Sequence, residues 1–320
     1  MNRRDFLKFS AAGGALVATS ALPAVAAAGG DPFARRGRWE RLALGYAAVK
    51  ARATKPFSVL HISDTHLTAA FDDEGERKRK LRECRTETFG GHQEEALRDS
   101  LAWAKENVDY VVHTGDLIDW QSKANFALVK KYFGRGMIGS MGNHEFSPDM
   151  WLSDPPESRD EAFKSRSRAA LSAAYPFDIS FASQVVNGVN FVTLDDVYGT
   201  VTAEQVGRFR AELRKGLPIV LCMHVPFFTD LIWQSYVKFW TGVGKKFADV
   251  GTPAPAGDAL LQRKDGTTRD FIDALRKEPL LKAILSGHLH LAVQERFSPT
   301  AVQYVVGGNF LFHGQEILFT

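Results

Sequence analysis

The stretch FSVLHISDTH, residues 57–66, sets the pattern for the whole chain. Its first six residues form a short apolar run that predicts a buried strand. The polar triplet Asp64-Thr65-His66 follows almost directly. Because residues i and i+2 of an extended strand end point to the same face, Asp64 and His66 can reach the same ion. The stretch therefore predicts a strand that delivers two ligands to the edge of a sheet.

Four further polar motifs follow apolar runs in the same way. They are Gly115-Asp116-Leu117-Ile118-Asp119 after residues 109–113, Gly142-Asn143-His144-Glu145 after 136–141, His224 after 218–223, and Gly287-His288-Leu289-His290 after 281–285. Carboxylates, an amide oxygen and several imidazoles together make a ligand set for two divalent metals. Asp116 follows a glycine on a tight turn, and its short carboxylate suits a bridge between two cations.

Helical spacing separates these strands. It predicts helices over residues 39–50, 92–108, 125–133, 202–215 and 268–276, and further apolar runs predict strands over 189–194, 302–306 and 317–320. Thr202, with Gln205 three residues later, indicates a capped helix start. Alternating strands and helices favour an α/β fold with helices on the sheet faces. Loops beyond the strand carboxyl ends converge in such sheets, so the motifs can share one crevice.

Taken together, the five motifs resemble the calcineurin-like metallophosphoesterase superfamily over residues 57 to about 291. The resemblance implies a four-layer α-β-β-α sandwich, with two packed mixed sheets flanked by helices. It implies one metal held by Asp64, His66, Asp116 and His290, and a second held by Asp116, Asn143, His224 and His288. It also implies that His144 lies near the leaving-group oxygen as general acid or transition-state stabiliser. Glu145 would orient His144 from behind.

The same resemblance implies an enzyme that hydrolyses phosphate esters with a hydroxide activated by two ions of Mn, Fe, Zn or Ni. Ser63-Asp64-Thr65-His66-Leu67 is locally similar to the cyclic-nucleotide phosphodiesterase-like enzymes, which favours phosphodiester or nucleotide-type small substrates. A phosphomonoesterase or protein phosphatase is the alternative within this class. A non-catalytic metal-binding scaffold of the same fold is the alternative outside it. The presence of His144 favours an enzyme, since a scaffold does not need it.

The first 28 residues predict an export signal. Residues 2–8 are basic and resemble the twin-arginine motif, residues 11–25 are small and apolar, and residues 24–28 offer A-x-A cleavage sites. A membrane anchor is the alternative, but the apolar stretch is short for a bilayer and poor in leucine and isoleucine. The signal predicts the export machinery as a partner and a periplasmic or extracellular location. No other stretch predicts a transmembrane anchor. Because the twin-arginine route carries folded proteins, metal could be loaded before export.

The composition is that of a globular protein, with 320 residues of which 45% are hydrophobic and 24% charged. The formal charge is +3, and Arg3, Arg4 and Lys8 against Asp5 contribute +2 of it within the signal. The remaining chain is almost neutral, which gives no electrostatic signal for a nucleic-acid partner. After the signal we expect an extension over residues 29–55 and a metallophosphoesterase domain over residues 56–320.

Two insertions in this domain are candidates for substrate selection. Residues 68–91 are densely charged and follow the first ligand pair, so they form either a lid that contacts phosphate or a solvated mobile loop. Residues 226–265 carry six aromatic side chains in their first half. These rings either stack on a nucleobase or apolar leaving group, or pack the core beneath a long insertion, and the second interpretation is favoured.

The remaining polar residues have simpler interpretations. His61 and His113, within or beside predicted strands, are expected to be buried and satisfied. Asp119 is expected to support the ligands from behind or to fix a loop, and not to bind metal itself. His92 is expected to cap a helix, with contact to substrate as the alternative, and His313 to belong to a loop, with a position at the edge of the site as the alternative.

Two other features predict structure and not function. Asp195-Asp196 is explained by turn chemistry and not by another metal site. No disulfide is expected, because Cys222 lies in an apolar run and Cys84 in a charged segment.

Overall fold

The computed structural model describes residues 39–134, 136–147, 161–242, 244 and 266–320. The predicted signal over residues 1–28 and the first part of the predicted extension lie outside the described residues, as does most of 243–265. Within the described ranges the chain forms eleven strands and seven α-helices.

The strands are β1 (Ala43–Val49), β2 (Phe57–Ile62), β3 (Tyr110–Thr114), β4 (Met137–Ser140), β5 (Phe181–Val186), β6 (Val189–Leu194), β7 (Ile219–Cys222), β8 (Leu281–Ser286), β9 (Val293–Arg296), β10 (Val302–Val305) and β11 (His313–Phe319). The helices are α1 (Glu76–Thr88), α2 (Gln93–Asn107), α3 (Lys123–Tyr132), α4 (Glu161–Ala174), α5 (Ala203–Leu213), α6 (Asp230–Gly242) and α7 (Gly266–Leu275). Short 3-10 helices span Asp72–Glu74 and Asn309–Leu311.

The strands form two mixed sheets. The order is β1-β11-β2-β3-β4 in the first sheet and β5-β6-β7-β8-β10-β9 in the second. In the first sheet β11 runs antiparallel to β2, while β2, β3 and β4 are parallel. In the second sheet β6, β7, β8 and β10 are parallel, and the edge strands β5 and β9 run antiparallel to their neighbours.

Alternate residues of the central strands face different layers of the core. Val59 of β2 and Val220 of β7 join one apolar cluster between the two sheets. The next residue of each strand faces outward: Leu60 packs beneath α2, α3 and α4, and Leu221 packs beneath α5 and α7. Because both faces are covered, these strands are continuous apolar runs in the sequence. The predicted α-β-β-α sandwich is confirmed.

The parallel strands bring the five motifs to one edge of the sandwich. Asp64, Asp116 and Asn143 follow β2, β3 and β4 within three residues of the strand ends. His224 and His288 follow β7 and β8 of the second sheet, each two residues beyond the strand. The two sheets therefore contribute to a single group of polar loops.

The predicted helix over residues 39–50 is wrong, because Ala43–Val49 form strand β1. This strand pairs in parallel with β11, from Ala43 opposite His313 to Val49 opposite Phe319. The segment contains alanine and leucine at spacings that a helix also tolerates, and Gly45 lowers its helix propensity only modestly. Pairing with a strand 270 residues later in the sequence decides the outcome, and no local pattern reports it.

The other predicted helices and strands are confirmed with small shifts at their ends. At the start of α5, Thr202 accepts a hydrogen bond from the backbone of Gln205, whose side chain bonds back to the Thr202 backbone. Five elements were not predicted: the edge strands β5 and β9, and the helices α1, α4 and α6. Cys84 is exposed and Cys222 is buried, and neither forms a disulfide.

Both insertions contain helices. Residues 68–91 include α1, so this insertion is not a loop over its whole length. In the second insertion, Ile232 and Tyr236 of α6 pack against Leu289 and Leu291, as core packing requires. No helix in the described ranges has the length and apolar character needed to cross a membrane.

Candidate metal centre

Asp64, His66 and His290 form a first group of ligand-type side chains. Nε2 of His66 lies 3.0 Å from Nε2 of His290, which lies 3.3 Å from Oδ1 of Asp64. Oδ1 of Asp64 lies 3.9 Å from Nε2 of His66. Asp64 and His66 are fully buried, and His290 is partly exposed. One oxygen and two nitrogen atoms of the kind that bind metals therefore lie within 4.8 Å of one another.

Asp116, Asn143, His224 and His288 form a second group. Nε2 of His224 lies 3.2 Å from Oδ2 of Asp116 and 3.1 Å from Oδ1 of Asn143. The same nitrogen lies 3.2 Å from Nδ1 of His288. The structure thus brings together all seven residues that the sequence singles out as ligands, in the two sets that the resemblance implies.

Asp116 lies between the two groups. Its Oδ1 accepts a hydrogen bond of 2.7 Å from the backbone N–H of His144. Its Oδ2 lies 3.2 Å from Nε2 of His224 in the second group and 3.8 Å from Nε2 of His66 in the first. Because a backbone donor fixes one oxygen, the other faces both groups. This position is compatible with the bridging role that the resemblance implies for Asp116.

The donors present fit metal ions. Oδ1 of Asp64 is one of several buried side-chain atoms of the described residues that have no hydrogen-bond partner in good geometry, and it lies among the donors of the first group. Buried polar atoms are normally paired, so this carboxylate oxygen is suited to binding a cation. Carboxylate, amide and imidazole donors suit Mn, Fe, Zn or Ni.

The charge that the centre favours differs from one histidine to the next. Burial lowers the pKa of His224, but the charge of Asp116 opposes burial and, with Asp64, raises the pKa to about 10. Burial lowers the pKa of His66 to about 4 and that of His288 to about 3. The two carboxylates therefore favour positive charge at His224, whereas burial disfavours it at His66 and His288.

Five of the predicted ligands have a left-handed backbone. The φ angles are 55° at Asp64, 52° at His66, 55° at Asp116, 69° at His288 and 57° at His290. Each such residue costs about 1–3 kcal/mol, and this strain is typical of functional sites. The sequence predicted an extended strand end at Asp64 and His66, which is wrong: both residues lie beyond the end of β2 and have left-handed φ angles. Sequence patterns report no φ angle.

Asp119 connects His66 with His144. Its Oδ1 lies 2.9 Å from Nδ1 of His66 and 2.8 Å from Nδ1 of His144. Arg85 of α1 binds both carboxylate oxygens, with Nε 2.6 Å from Oδ2 and Nη2 3.0 Å from Oδ1. With Nδ1 held, Nε2 of His144 lies 4.0 Å from Oδ2 of Asp116. His144 therefore directs Nε2 toward the ligand groups.

Glu145 lies between the loops after β3 and β4. Its buried carboxylate accepts hydrogen bonds from the backbone N–H groups of Asp116, Leu117, Ile118 and Gly142 and from the hydroxyl of Tyr175. Burial and the charge of Asp116 raise its pKa. The structure favours Glu145 as the residue that joins the loops after β3 and β4. Asp119 makes the contact that orients His144.

Sequence reasoning missed three residues around the first group. Arg85 was counted only as one of many charges in residues 68–91. Phe89 stacks on His66 with ring centroids 4.1 Å apart, and Phe310 packs edge-on against His290 at 5.1 Å. Only Arg85 had a signal in the sequence, because it lies in the charged insertion that follows the first ligand pair.

The structure agrees with only some of the simpler interpretations of the remaining histidines. His61 and His113 are buried, and Nε2 of each lies 2.9 Å from a threonine hydroxyl, but Nδ1 of His61 has no hydrogen-bond partner. His92 occupies the N-cap position of α2, although its side chain contacts Glu95 and makes no capping hydrogen bond. The expected loop at His313 is wrong, because His313 is the first residue of β11, where its carbonyl accepts a hydrogen bond from Asn309.

Asp195 fixes the turn after β6, as turn chemistry predicts, because its Oδ1 accepts a hydrogen bond from the backbone N–H of Val197. The carboxylate of Asp196 accepts hydrogen bonds from the backbone N–H groups of His224 and Val225. Asp195 forms ion pairs with Lys164 and Arg168 of α4.

Comparison with known proteins gives two family matches. Residues 57–292 match the calcineurin-like phosphoesterase family, and residues 1–20 match the twin-arginine translocation pathway signal sequence. No curated protein matches the chain significantly.

Several solved structures are similar to the chain at low identity. A dimetal phosphatase from Danio rerio is 16% identical, with 79% of this chain and 88% of that chain covered and a TM-score of 0.44. A putative 5'-nucleotidase from Staphylococcus aureus is 15% identical, with 80% and 49% covered and a TM-score of 0.42. A purple acid phosphatase from yellow lupin is 12% identical, with 80% and 44% covered and a TM-score of 0.46. The chain spans less than half the length of the last two proteins.

The phosphoesterase match covers more than half of the chain and includes all five motifs. The twin-arginine match indicates export. The protein therefore belongs to the calcineurin-like phosphoesterase family and is an exported hydrolase of phosphate ester bonds.

Proposed function

We propose that the protein hydrolyses a phosphodiester or nucleotide-type ester at a dinuclear metal centre. One ion would be held by Asp64, His66, Asp116 and His290, and the other by Asp116, Asn143, His224 and His288. The observation that carries the proposal is Oδ2 of Asp116, which faces Nε2 of His224 at 3.2 Å and Nε2 of His66 at 3.8 Å. Two adjacent ions would activate water and neutralise charge on the phosphoryl oxygens.

The residues beside the ions have separate tasks. Asp119 and Arg85 orient His144, so that its Nε2 can hold a proton near the leaving-group oxygen. The carboxylate of Glu145 fixes the Asp116 loop relative to the Asn143 loop, because it accepts four hydrogen bonds from their backbone N–H groups. Phe89 and Phe310 exclude water from one side of the first group, which strengthens the interactions inside it.

The preference for diesters rests on the local similarity of Ser63-Asp64-Thr65-His66-Leu67 to cyclic-nucleotide phosphodiesterase-like enzymes. A phosphomonoesterase or protein phosphatase uses the same centre and is the runner-up. A non-catalytic scaffold would also keep the fold, but it has no need for the oriented His144.

The test is a hydrolysis panel on the full chain reconstituted with metal. Aryl diesters, aryl monoesters and cyclic nucleotides should be compared, and we expect the highest kcat/KM on a diester. Asp116→Ala should abolish turnover and lower the metal content, whereas Asp73→Ala on the exposed surface should change neither. Full turnover in Asp116→Ala contradicts the proposed centre. Inactivity on every ester with two metals bound favours the scaffold.

A further inference from the structure

Thr65 lies between the first two candidate ligands, and its side chain makes contacts away from them. It is fully buried, and its hydroxyl lies 2.9 Å from Nε2 of His113 and 3.1 Å from Oδ1 of Asn309. Asp64 and His66, on either side, both have left-handed backbones. A segment with two strained residues keeps its conformation only when contacts with surrounding residues stabilise it.

Asn309 ties this segment to α2 and β11, whereas backbone bonds from Asp64 and His66 tie it to the Asp116 loop. Its backbone N–H donates to the carbonyl of Ser63 at 2.8 Å. Its Nδ2 donates to Oγ of Ser100 on α2 at 2.8 Å and to the carbonyl of His313 on β11 at 3.2 Å. Because a carbonyl only accepts, the amide nitrogen must face His313 and the amide oxygen must face Thr65.

The hydroxyl of Thr65 has a single proton, which this arrangement directs to Asn309. Nε2 of His113 must then be the donor to the hydroxyl oxygen. The contacts form a continuous buried chain from β3, through Thr65 and Asn309, to α2. Asn309 lies beyond residues 57–292, which the family match covers.

We propose that Asn309 and Thr65 are positioning residues that hold the strained segment of Asp64 and His66. They would thereby set the affinity with which the first group of ligands binds its metal ion. This rests on the proposed dinuclear centre. Asn143, His224 and His288 of the second group come from other loops. Loosening the segment of Asp64 and His66 should therefore weaken binding of the ion in the first group more than binding of the ion in the second.

The experiment is a titration of the metal-free full chain with Mn²⁺. Binding is measured by calorimetry and by electron paramagnetic resonance. Thr65→Val keeps the side-chain shape and removes the hydroxyl, and it should weaken one of two Mn²⁺ sites by about 10–100-fold. Thr65→Ser keeps the hydroxyl and should restore wild-type affinity. Asn309→Ala should reproduce Thr65→Val.

The matched control is Thr268→Val on α7. Thr268 is also fully buried, and its hydroxyl accepts a hydrogen bond of 3.0 Å from the backbone of Val201. The Thr268→Val substitution should lower the Tm about as much as Thr65→Val does. It should leave the affinities of both Mn²⁺ sites unchanged. A purely structural role of Thr65 would give the same result as this control.

Three outcomes overturn the inference. If Thr65→Val and Asn309→Ala bind two Mn²⁺ ions as tightly as the wild type, the positioning role is wrong and the dinuclear centre stands. Equal weakening of both ions contradicts the selective effect on the first group. Failure of the wild type itself to bind two ions contradicts the proposed function. If Thr65→Val does not fold, Asn309→Ala decides on the same readout.

Discussion

A single carboxylate, Asp119, is shared by a candidate ligand and a candidate acid. Its contacts to Nδ1 of His66 and Nδ1 of His144 leave the opposite nitrogen of each ring facing the centre. The fork of Arg85 compensates the buried charge of Asp119 and fixes its orientation. One side chain thereby sets the direction of two imidazoles with different proposed tasks.

These contacts predict separate effects on rate and on metal binding. His144→Ala should lower kcat by about 10²–10⁴-fold, because it removes a positioned proton donor. Both metals should remain bound, since the proposed ligand set does not include His144. Metal content by elemental analysis and steady-state kinetics on the same preparation check this.

His92→Ala is the matched control for that variant. The His92 side chain is more than half exposed, and it pairs with Glu95 at the start of α2. Its removal should leave kcat and metal content unchanged. Loss of metal from His144→Ala would instead make His144 a ligand.

Among the structural elements, the loops after β3 and β4 depend on a close backbone approach. A Cβ atom added at Gly142 would lie 2.2 Å from Oδ1 and 2.4 Å from the backbone nitrogen of Asp116. Glu145 joins the same two loops from the other side by accepting hydrogen bonds from Asp116 and Gly142. Neither loop can therefore move without the other.

Gly142→Ala should displace Asp116 and impair the centre. We expect a loss of about 1–3 kcal/mol of unfolding free energy from overpacking, together with weaker binding of both metals. Gly207→Ala is the control, because a Cβ at this position in α5 meets nothing within 4 Å. It should stabilise the protein by about 0.5–1 kcal/mol. Urea unfolding and metal titration measure both, and unchanged metal affinity in Gly142→Ala contradicts the close approach.

The predictability of each element follows from how much of it is buried. β2, β3, β7 and β8 are covered on both faces and are visible as apolar runs that end in the motifs. Of the thirteen residues of α1, only Leu81 and Arg85 are buried, so its periodicity is weak. β5 is exposed at three central positions, and β1 is decided by pairing with β11.

Over the whole molecule, the candidate centre joins the two sheets. Asp64 and Asp116 come from the first sheet, and His224 and His288 from the second. The sequence predicted this ligand set because the order of its motifs matches a known family. It could not predict the left-handed backbone of five ligands, the Arg85–Asp119 pair or the Asn309 contacts. These features depend on residues that only folding brings together.

A centre shared between the sheets links metal binding to global stability. Ions that bind only the folded state stabilise it by about 2.7 kcal/mol per site at 100 times the dissociation constant. For a domain of this size, that corresponds to about 5–10 °C in Tm per site. Chelation should therefore lower the Tm of the full chain, and Mn²⁺ should restore it. Asp116→Asn should lose most of this Mn²⁺-dependent shift, because Asp116 faces both groups. A Tm that does not depend on metal would show that the centre does not join the sheets.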